Sequence, residues 1–188
     1  KDSQMKTTLV VIDMQNSFLH KDGENYYQRS EEIVENVSLL IKKAEKNNAY
    51  IIHISDEHRE GFKDFEQKQL PAHCVSGTFD AQFFDNFGPK NRENEIAILK
   101  RRYSAFFATD LELFLREQKI ETLILCGVKT NLCVRATAQD AFAHGFKVIL
   151  VSDATNSNRV HLEKASLEDI TRYFGTVVKT RDAVGLFE

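Results

Sequence analysis

The sequence predicts an α/β fold of three layers, α/β/α, with a central six-stranded, mainly parallel sheet. Short runs of Val, Ile and Leu without polar alternation recur along the chain, and such runs are typical of strands buried on both faces of a parallel sheet. Segments with apolar residues at helical spacing separate the runs, as βαβ units require. The chain has 188 residues, of which 42% are hydrophobic, so we expect residues 1–188 to form a single domain with a sizeable core.

The first half of the chain predicts two strands, one helix and a long loop. Residues 7–12, an almost continuous apolar run, are the first strand, and residues 50–55 are the second. Residues 29–48 form a helix, because apolar side chains recur there at intervals of three and four. Residues 59–94 hold both prolines and show no clear period, which favours a functional loop with short helical pieces.

The second half alternates strands and helices more regularly. Thr109 is a suitable N-cap for a helix at residues 110–118, and Gly145 can end a helix at residues 131–144. We predict strands at residues 95–99, 121–126, 147–152 and 175–179, and helices at residues 110–118, 131–144 and 162–173.

The composition disfavours several classes of function. The net charge of −3 gives no reason to expect nucleic acid or an anionic membrane as a partner. No apolar stretch approaches the roughly 18–20 residues that span a bilayer, and residues 1–6 lack the apolar region of a secretory signal. Three cysteines without a CxxC spacing argue against a disulfide framework and favour a reducing, cytoplasmic location. The chain has no GxGxxG or P-loop motif, which disfavours a nucleotide-binding domain.

Four candidate reactive residues follow predicted strands. Asp13, Asp56 and Lys100 stand at the ends of the first three strands, and Cys133 comes shortly after the fourth. In parallel α/β sheets, functional sites lie beyond the carboxyl ends of the strands. We therefore expect these four side chains to meet at one edge of the sheet.

Cys133 lies where a strand ends and a helix begins. The unpaired N–H groups and the positive dipole end of a helix favour a thiolate, which is the nucleophilic form of cysteine. The alternative is an inert buried thiol, since free cysteine often behaves as a small apolar residue.

A nucleophilic thiol needs a base and an oxyanion site. Asp13, at a buried strand end, is the candidate general base, because reduced solvation raises its basicity. Lys100 could orient this pair and supply positive charge. The backbone N–H groups of Lys129 and Cys133 could form the oxyanion hole. The alternatives are a solvated carboxylate for Asp13 and an exposed surface position for Lys100.

Three motifs carry a resemblance to a known family. They are VIDMQNSF at residues 11–18, KRRYSAF at residues 100–106 and GVKTNLCV at residues 127–134. In this order they resemble the isochorismatase-like cysteine hydrolases, which include nicotinamidases and N-carbamoylsarcosine amidases. The resemblance implies a catalytic triad of Asp13, Lys100 and Cys133. It also implies a cis peptide bond between Val128 and Lys129 that aims the oxyanion donors.

The resemblance also implies the type of reaction. Family members that cleave a vinyl ether commonly lack the cysteine, whereas this chain has Cys133. We therefore expect hydrolysis of the C–N bond of a small amide through a thioester, with nicotinamide as the first candidate substrate. The alternative enzyme is a metal-independent relative acting on a carbamoyl, ureido or maleamic-type amide. Arg101 and Arg102 could clamp the carboxylate of such a substrate. A second alternative is an inactive scaffold domain.

The loop after the second strand carries a candidate metal site. Two histidines and two carboxylates form a mixed N/O set suited to Zn, Mn or Fe; the residues are Asp56, His58, Glu66 and His73. The set resembles the metal site of nicotinamidases, and Asp64 competes with Glu66 for the last position. The alternative is a polar surface loop without a metal. We expect no organic cofactor.

The resemblance also suggests residues around the substrate. Phe18 and Tyr103 match positions that contact the aromatic ring in nicotinamidases, and Leu70 stands where those enzymes often carry Trp or Phe. The alternative for Phe18 and Leu70 is a purely structural role in the hydrophobic core. Family members often form homo-oligomers, so the resemblance implies one here.

Overall fold

The structure is a computed structural model that describes residues 6–188. Most of the N-terminal segment considered for a secretory signal therefore lies outside the described residues. None of the helices within residues 6–188 has the length and apolar character that a membrane span requires.

Six parallel strands form one sheet in the order β3-β2-β1-β4-β5-β6. This confirms the predicted fold class, and the sheet is parallel throughout. The strands are β1 (Lys6–Ile12), β2 (Tyr50–Asp56), β3 (Glu95–Lys100), β4 (Ile120–Val128), β5 (Lys147–Asn156) and β6 (Thr176–Val178).

Helices and helical turns connect the strands. A 3-10 helix, Gln28–Ile33, leads into an α-helix, Val34–Lys46 (α2), so the helix predicted at residues 29–48 is a 3-10 helix followed by an α-helix. Short π-helical turns, Thr130–Val134 and Ile170–Phe174, precede α4 and follow α5. The helices are α1 (Asn16–Leu19), α2 (Val34–Lys46), α3 (Leu111–Glu117), α4 (Arg135–Ala143), α5 (Val160–Asp169) and α6 (Thr180–Ala183).

One of the two predicted helix signals lies one residue from its expected place. The N-cap of α3 is Asp110 and not Thr109, although the Thr109 hydroxyl accepts a hydrogen bond from the Leu111 N–H at 3.2 Å. Gly145 follows α4 with a φ of 85°, a left-handed conformation that ends the helix. The predicted loop at residues 59–94 contains two short 3-10 helices, Phe65–Lys68 and Phe79–Ala81.

Both faces of the sheet are buried, as expected for a parallel sheet. Along β1, Leu9 and Val11 belong to a core on the face covered by α2. Val10 and Ile12 belong to a second core, which includes residues of α3 and α4. Helices on both faces leave the carboxyl edge of the sheet as the place where polar side chains can meet.

Candidate active site

Asp13, Lys100 and Cys133 come together at the carboxyl edge of the sheet. Asp13 directly follows β1, Lys100 is the last residue of β3, and Cys133 lies in the π-helical turn after β4. Lys100 Nζ lies 3.1 Å from Asp13 Oδ2 and 3.4 Å from Cys133 Sγ. All three side chains are buried. The structure thus places the predicted triad in mutual contact, with the ammonium touching both the acid and the thiol.

A close approach between β1 and β4 positions this group. Gly127 has a φ of 111°, and a Cβ built on it would lie 2.0 Å from the carbonyl oxygen of Ile12. Any side chain at residue 127 would push β4 away from the end of β1. The glycine therefore lets the turn that carries Cys133 lie beside Asp13.

The peptide bond between Val128 and Lys129 is cis, as the resemblance implied. The N–H groups of Leu132 and Val134 both donate to the carbonyl oxygen of Lys129, at 3.1 and 3.2 Å. These bonds close the turn without using the N–H groups of Lys129 and Cys133, the two expected oxyanion donors. Their role in binding an oxyanion stays a prediction.

Burial dominates the protonation of the acid and the thiol. It raises the pKa of Asp13 to about 6, against the opposing effect of Lys100, and the charge of Asp56 adds to the rise. Burial also raises the pKa of the Cys133 thiol well above its usual value, although Lys100 lowers it. The helix-start position favours a thiolate, but it does not outweigh desolvation here. At rest Cys133 is therefore a neutral thiol beside an unusually basic carboxylate.

Lys100 also connects this group to a second cluster. Its Nζ lies 3.4 Å from Asp56 Oδ1 and donates to the carbonyl oxygen of Arg102 at 3.1 Å. Burial by itself lowers the pKa of Lys100, but the charges of Asp13, Cys133 and Asp56 raise it well above its usual value. Lys100 is therefore a permanent cation.

The second cluster is the predicted metal group. Four donor atoms from Asp56, His58, Glu66 and His73 all lie within 4.8 Å of one another. Asp56 Oδ2 is 3.1 Å from His58 Nε2 and 3.0 Å from His73 Nε2, and Glu66 Oε2 is 3.0 Å from His58 Nε2. Ligands held at about 2.1 Å from one ion lie roughly 3.0–3.5 Å apart. The spacing therefore fits a small divalent cation.

The outer nitrogens of both histidines are hydrogen-bonded away from this centre. His58 Nδ1 lies 2.7 Å from Asp64 Oδ2, and His73 Nδ1 lies 2.8 Å from the carbonyl oxygen of Pro71. An acceptor at Nδ1 holds the proton there and leaves Nε2 free to bind a metal. Asp64, the competing ligand candidate, thus supports His58 from outside, and Glu66 faces the centre.

The charge of the cluster also suits a cation. Glu66 Oε1 is buried without a hydrogen-bond partner. Burial lowers the pKa of His58, but hydrogen bonds to Asp56 and Glu66 outweigh this and raise it to about 10. A site that holds a proton this strongly has an excess of negative charge, which a divalent ion would also neutralise.

Gln15, which no sequence signal distinguishes as a site residue, holds the Asp56 backbone in place. Its Nε2 donates to the carbonyl oxygens of Asp56 and Ala81, each at 2.8 Å. Its Oε1 accepts from the Asp56 N–H at 2.9 Å. The buried amide therefore ties the end of β2 to the loop that carries the other metal-site residues.

One cavity joins the thiol to the metal group. Phe18, Leu70 and Tyr103, the three expected substrate contacts, all line it. The edge of the Phe18 ring faces His73, with 6.4 Å between ring centroids. Three further residues were not expected as lining side chains: Asn25, Lys129 and Leu132.

Arg101 and Arg102 do not reach this cavity. Arg101 Nη1 donates to the carbonyl oxygen of Glu57 at 2.8 Å, and Arg102 Nη1 contacts Asp64 Oδ1 at 2.9 Å. Both arginines line a separate surface pocket together with Arg59 and Lys63. The expected arginine clamp beside Cys133 is therefore wrong, because the chain after β3 turns these side chains toward the outside of the metal loop.

Comparison with known proteins establishes the family. The isochorismatase domain matches residues 7–182. An isochorismatase-like hydrolase from Alkaliphilus metalliredigens is 33% identical, with a TM-score of 0.89 over 97% of this chain and 100% of that one. A nicotinamidase from Bacillus subtilis is 31% identical, with a TM-score of 0.86 over 93% of this chain and 100% of that one. The chain belongs to the isochorismatase family of hydrolases.

Other relatives differ in what their names say they act on. A maleamate amidohydrolase from Pseudomonas putida is 28% identical over 95% of this chain and 85% of its own length. A pyrazinamidase from Pyrococcus horikoshii, solved in complex with zinc, is 32% identical, with a TM-score of 0.84 over 93% of this chain and 99% of that one. Family membership therefore leaves the choice among amide substrates to the residues of the cavity.

Proposed function

We propose that this protein is a cysteine amidohydrolase that cleaves the C–N bond of a small amide through a thioester on Cys133. The contact of one buried ammonium, Lys100, with both Asp13 and Cys133 carries this proposal. A buried acid, cation and thiol at the base of a cavity supply a base, an orienting charge and a nucleophile. The amidohydrolases among the relatives support the same reaction class.

The first half of the reaction forms the thioester. Asp13 accepts the proton of Cys133 as the sulfur attacks the amide carbonyl carbon. The resulting oxyanion binds the N–H groups of Lys129 and Cys133. Asp13 then gives the proton to the leaving nitrogen, the C–N bond breaks, and ammonia departs.

The second half consumes one water molecule. Asp13, again a carboxylate, accepts a proton from water as the oxygen attacks the thioester carbonyl. The C–S bond breaks, the thiolate regains the proton from Asp13, and the product leaves as a carboxylic acid, which loses its proton to solvent. Lys100 stays protonated throughout and balances the negative charge that moves between its neighbours.

Nicotinamide is the first candidate substrate. The metal group lies on the same cavity as Cys133, and a bound divalent ion would supply a Lewis acid for the ring nitrogen of a pyridine. Asp56, His58, Glu66 and His73 would hold the ion. Phe18 and Tyr103 would pack against the ring.

An amide that also carries a carboxylate is the second candidate. Lys129 lines the cavity, and a cationic residue in this place favours a negative group on the substrate. Initial rates of ammonia release from nicotinamide, maleamate and a carbamoylated amino acid rank the two candidates directly. A cytoplasmic location, predicted from the cysteine content, and a homo-oligomer, implied by the family resemblance, remain predictions.

The nucleophile is tested by replacing Cys133 with alanine. We expect ammonia release to fall by about 10³-fold or more, because the nucleophile is lost. Cys126→Ala is the matched control, since Cys126 is also buried but belongs to the sheet core and not to the cavity. Far-ultraviolet circular dichroism checks the fold of both variants. Substantial turnover by the folded Cys133→Ala protein would remove Cys133 as nucleophile, and no turnover of any amide by the unmodified protein would favour an inactive scaffold.

A further inference from the structure

Lys129 is a partly buried cation without an acidic partner. Burial lowers the pKa of Lys129, and Cys133 opposes this effect. Within residues 6–188 no carboxylate contributes to the pKa of Lys129. Its Nζ lies 5.5 Å from the centre of the Tyr27 ring, a contact that holds an ammonium weakly. Lys129 also lines the cavity that contains Cys133. A partly desolvated ammonium in this place is stabilised when an anion binds beside it.

Asn25 offers a second donor in the same cavity. Asn25 lines the cavity, and its Nδ2 is buried with no hydrogen-bond partner in the structure. Buried amide groups in folded proteins almost always have a partner. The Asn25 amide and the Lys129 ammonium are therefore two donors on one cavity, and neither has an acceptor among the described residues.

We propose that Lys129 and Asn25 form a subsite that binds a carboxylate carried by the amide substrate. The inference rests on the proposed amidohydrolase function and selects one class of substrate, short amides that bear a second, negatively charged group. The scissile amide lies at Cys133, and the carboxylate lies at Lys129. Lys129 then has two separate roles, with its N–H facing the oxyanion and its ammonium determining specificity.

Other cations near the site do not serve this purpose. Lys100 contacts two carboxylates and the thiol, so a substrate anion there would compete with the catalytic group. Arg101 and Arg102 line a different pocket. Of Lys100, Arg101, Arg102 and Lys129, only Lys129 lies on the cavity without an acidic partner among residues 6–188.

Two amides of equal size test the subsite. Maleamate carries a carboxylate where maleamide carries a second carboxamide, so the pair differs mainly in charge. Initial rates of ammonia release give kcat/KM for each amide with the unmodified protein and with Lys129→Met, Lys129→Arg and Asn25→Ala. Lys42→Met, an exposed lysine on α2, is the control for the loss of a positive charge.

We expect Lys129→Met to lower the ratio of kcat/KM for maleamate to that for maleamide by about 10- to 100-fold, the usual effect of losing a hydrogen bond to a charged group. Lys129→Arg should restore part of the ratio, Asn25→Ala should lower it less, and Lys42→Met should leave it unchanged. An equal loss for both amides in Lys129→Met would overturn the subsite, because it would show that the ammonium acts on the reaction centre.

Binding separates failure of this inference from failure of the proposed function. If the unmodified protein hydrolyses neither amide, nor nicotinamide, the amidohydrolase proposal fails. Titration calorimetry of maleate into Cys133→Ala protein then tests the subsite alone. Binding that weakens by about tenfold or more in the Lys129→Met background supports a carboxylate subsite. Absence of binding, or binding that does not depend on Lys129, overturns it.

Discussion

Replacing Asp64 tests the proposal that Glu66 is a metal ligand and that Asp64 supports His58 from outside the site. Asp64 Oδ2 lies 2.7 Å from His58 Nδ1, and Asp64 Oδ1 accepts from Arg102 Nη1 and from the Glu66 N–H, each at 2.9 Å. Both oxygens are therefore directed away from the metal group. Glu66 Oε2, in contrast, lies 3.0 Å from the metal-facing nitrogen of His58.

The expected size of the effect follows from these contacts. Asp64→Asn removes the negative charge and keeps one carbonyl oxygen, which can accept from His58 or from the N–H of Glu66 but not from both. Asp64→Ala removes the charge and the acceptor. Loss of a partner behind a ligating histidine typically weakens metal binding by about 10- to 100-fold. We therefore expect Asp64→Asn to weaken metal binding by about 10-fold and Asp64→Ala by about 100-fold. Glu66→Ala removes a ligand and should weaken binding more than either.

The assay is a competition between the purified protein and a chromogenic chelator for Zn²⁺ at neutral pH. Asp85→Asn is the control, because Asp85 is exposed in the same long loop and its φ of 49° is readily adopted by asparagine. The affinity of the Asp85→Asn protein for Zn²⁺ should equal that of the unmodified protein. Metal content after dialysis gives the stoichiometry of each variant.

The opposite ranking would refute this assignment. If Asp64→Ala loses the ion completely while Glu66→Ala retains near-normal affinity, Asp64 is the ligand and Glu66 is the supporting residue. If neither substitution changes the affinity, the ion binds elsewhere, and the pyridine-nitrogen role proposed for the metal group fails with it.

Three further predictions concern the groups around the triad. The kcat/KM for amide hydrolysis should fall as pH decreases through about 6, because protonated Asp13 cannot accept the thiol proton; a flat profile from pH 5 to 7 would exclude Asp13 as the base. Gly127→Ala should lower the free energy of unfolding by more than about 1 kcal/mol in urea titrations, and by more than Gly61→Ala, which has a positive φ but open space around it. Gln15→Leu should cost about 1–3 kcal/mol in the same assay, because it leaves the buried N–H and carbonyl of Asp56 without their partner.

The arrangement of the triad was predictable because strand ends in a parallel sheet share one edge. Asp13 follows, and Lys100 ends, a short apolar run that predicts a strand, and the sheet order places both near the turn of Cys133. Polar strand extensions were not predictable in the same way. Strand β5 was expected to end at residue 152 but continues to Asn156, because a register shift lets Thr155 and Asn156 pair with the end of β4.

The parts of the site that depend on side-chain direction were the hardest to predict. Asp64 and Glu66 are equally plausible ligands in sequence, and only the 3-10 helix that begins after Asp64 separates their directions. Arg101 and Arg102 follow Lys100 directly, yet they lie on another pocket. The sequence predicted a role for the backbone N–H of Lys129 and none for its side chain. Lys129 nevertheless lines the cavity.

The raised pKa values of Asp13 and Cys133 have the same cause, which is burial, and both side chains contact the same cation, which opposes the rise. Lys100 Nζ is 3.1 Å from Asp13 Oδ2 and 3.4 Å from Cys133 Sγ. Ionising the thiol by releasing its proton to water would add a third negative charge to a buried group that already holds two carboxylates, which is costly. Passing the proton to Asp13 instead moves one negative charge from one neighbour of Lys100 to the other and leaves the total unchanged. The buried site therefore resists a free thiolate at rest and still permits one during attack, provided that Asp13 is the acceptor.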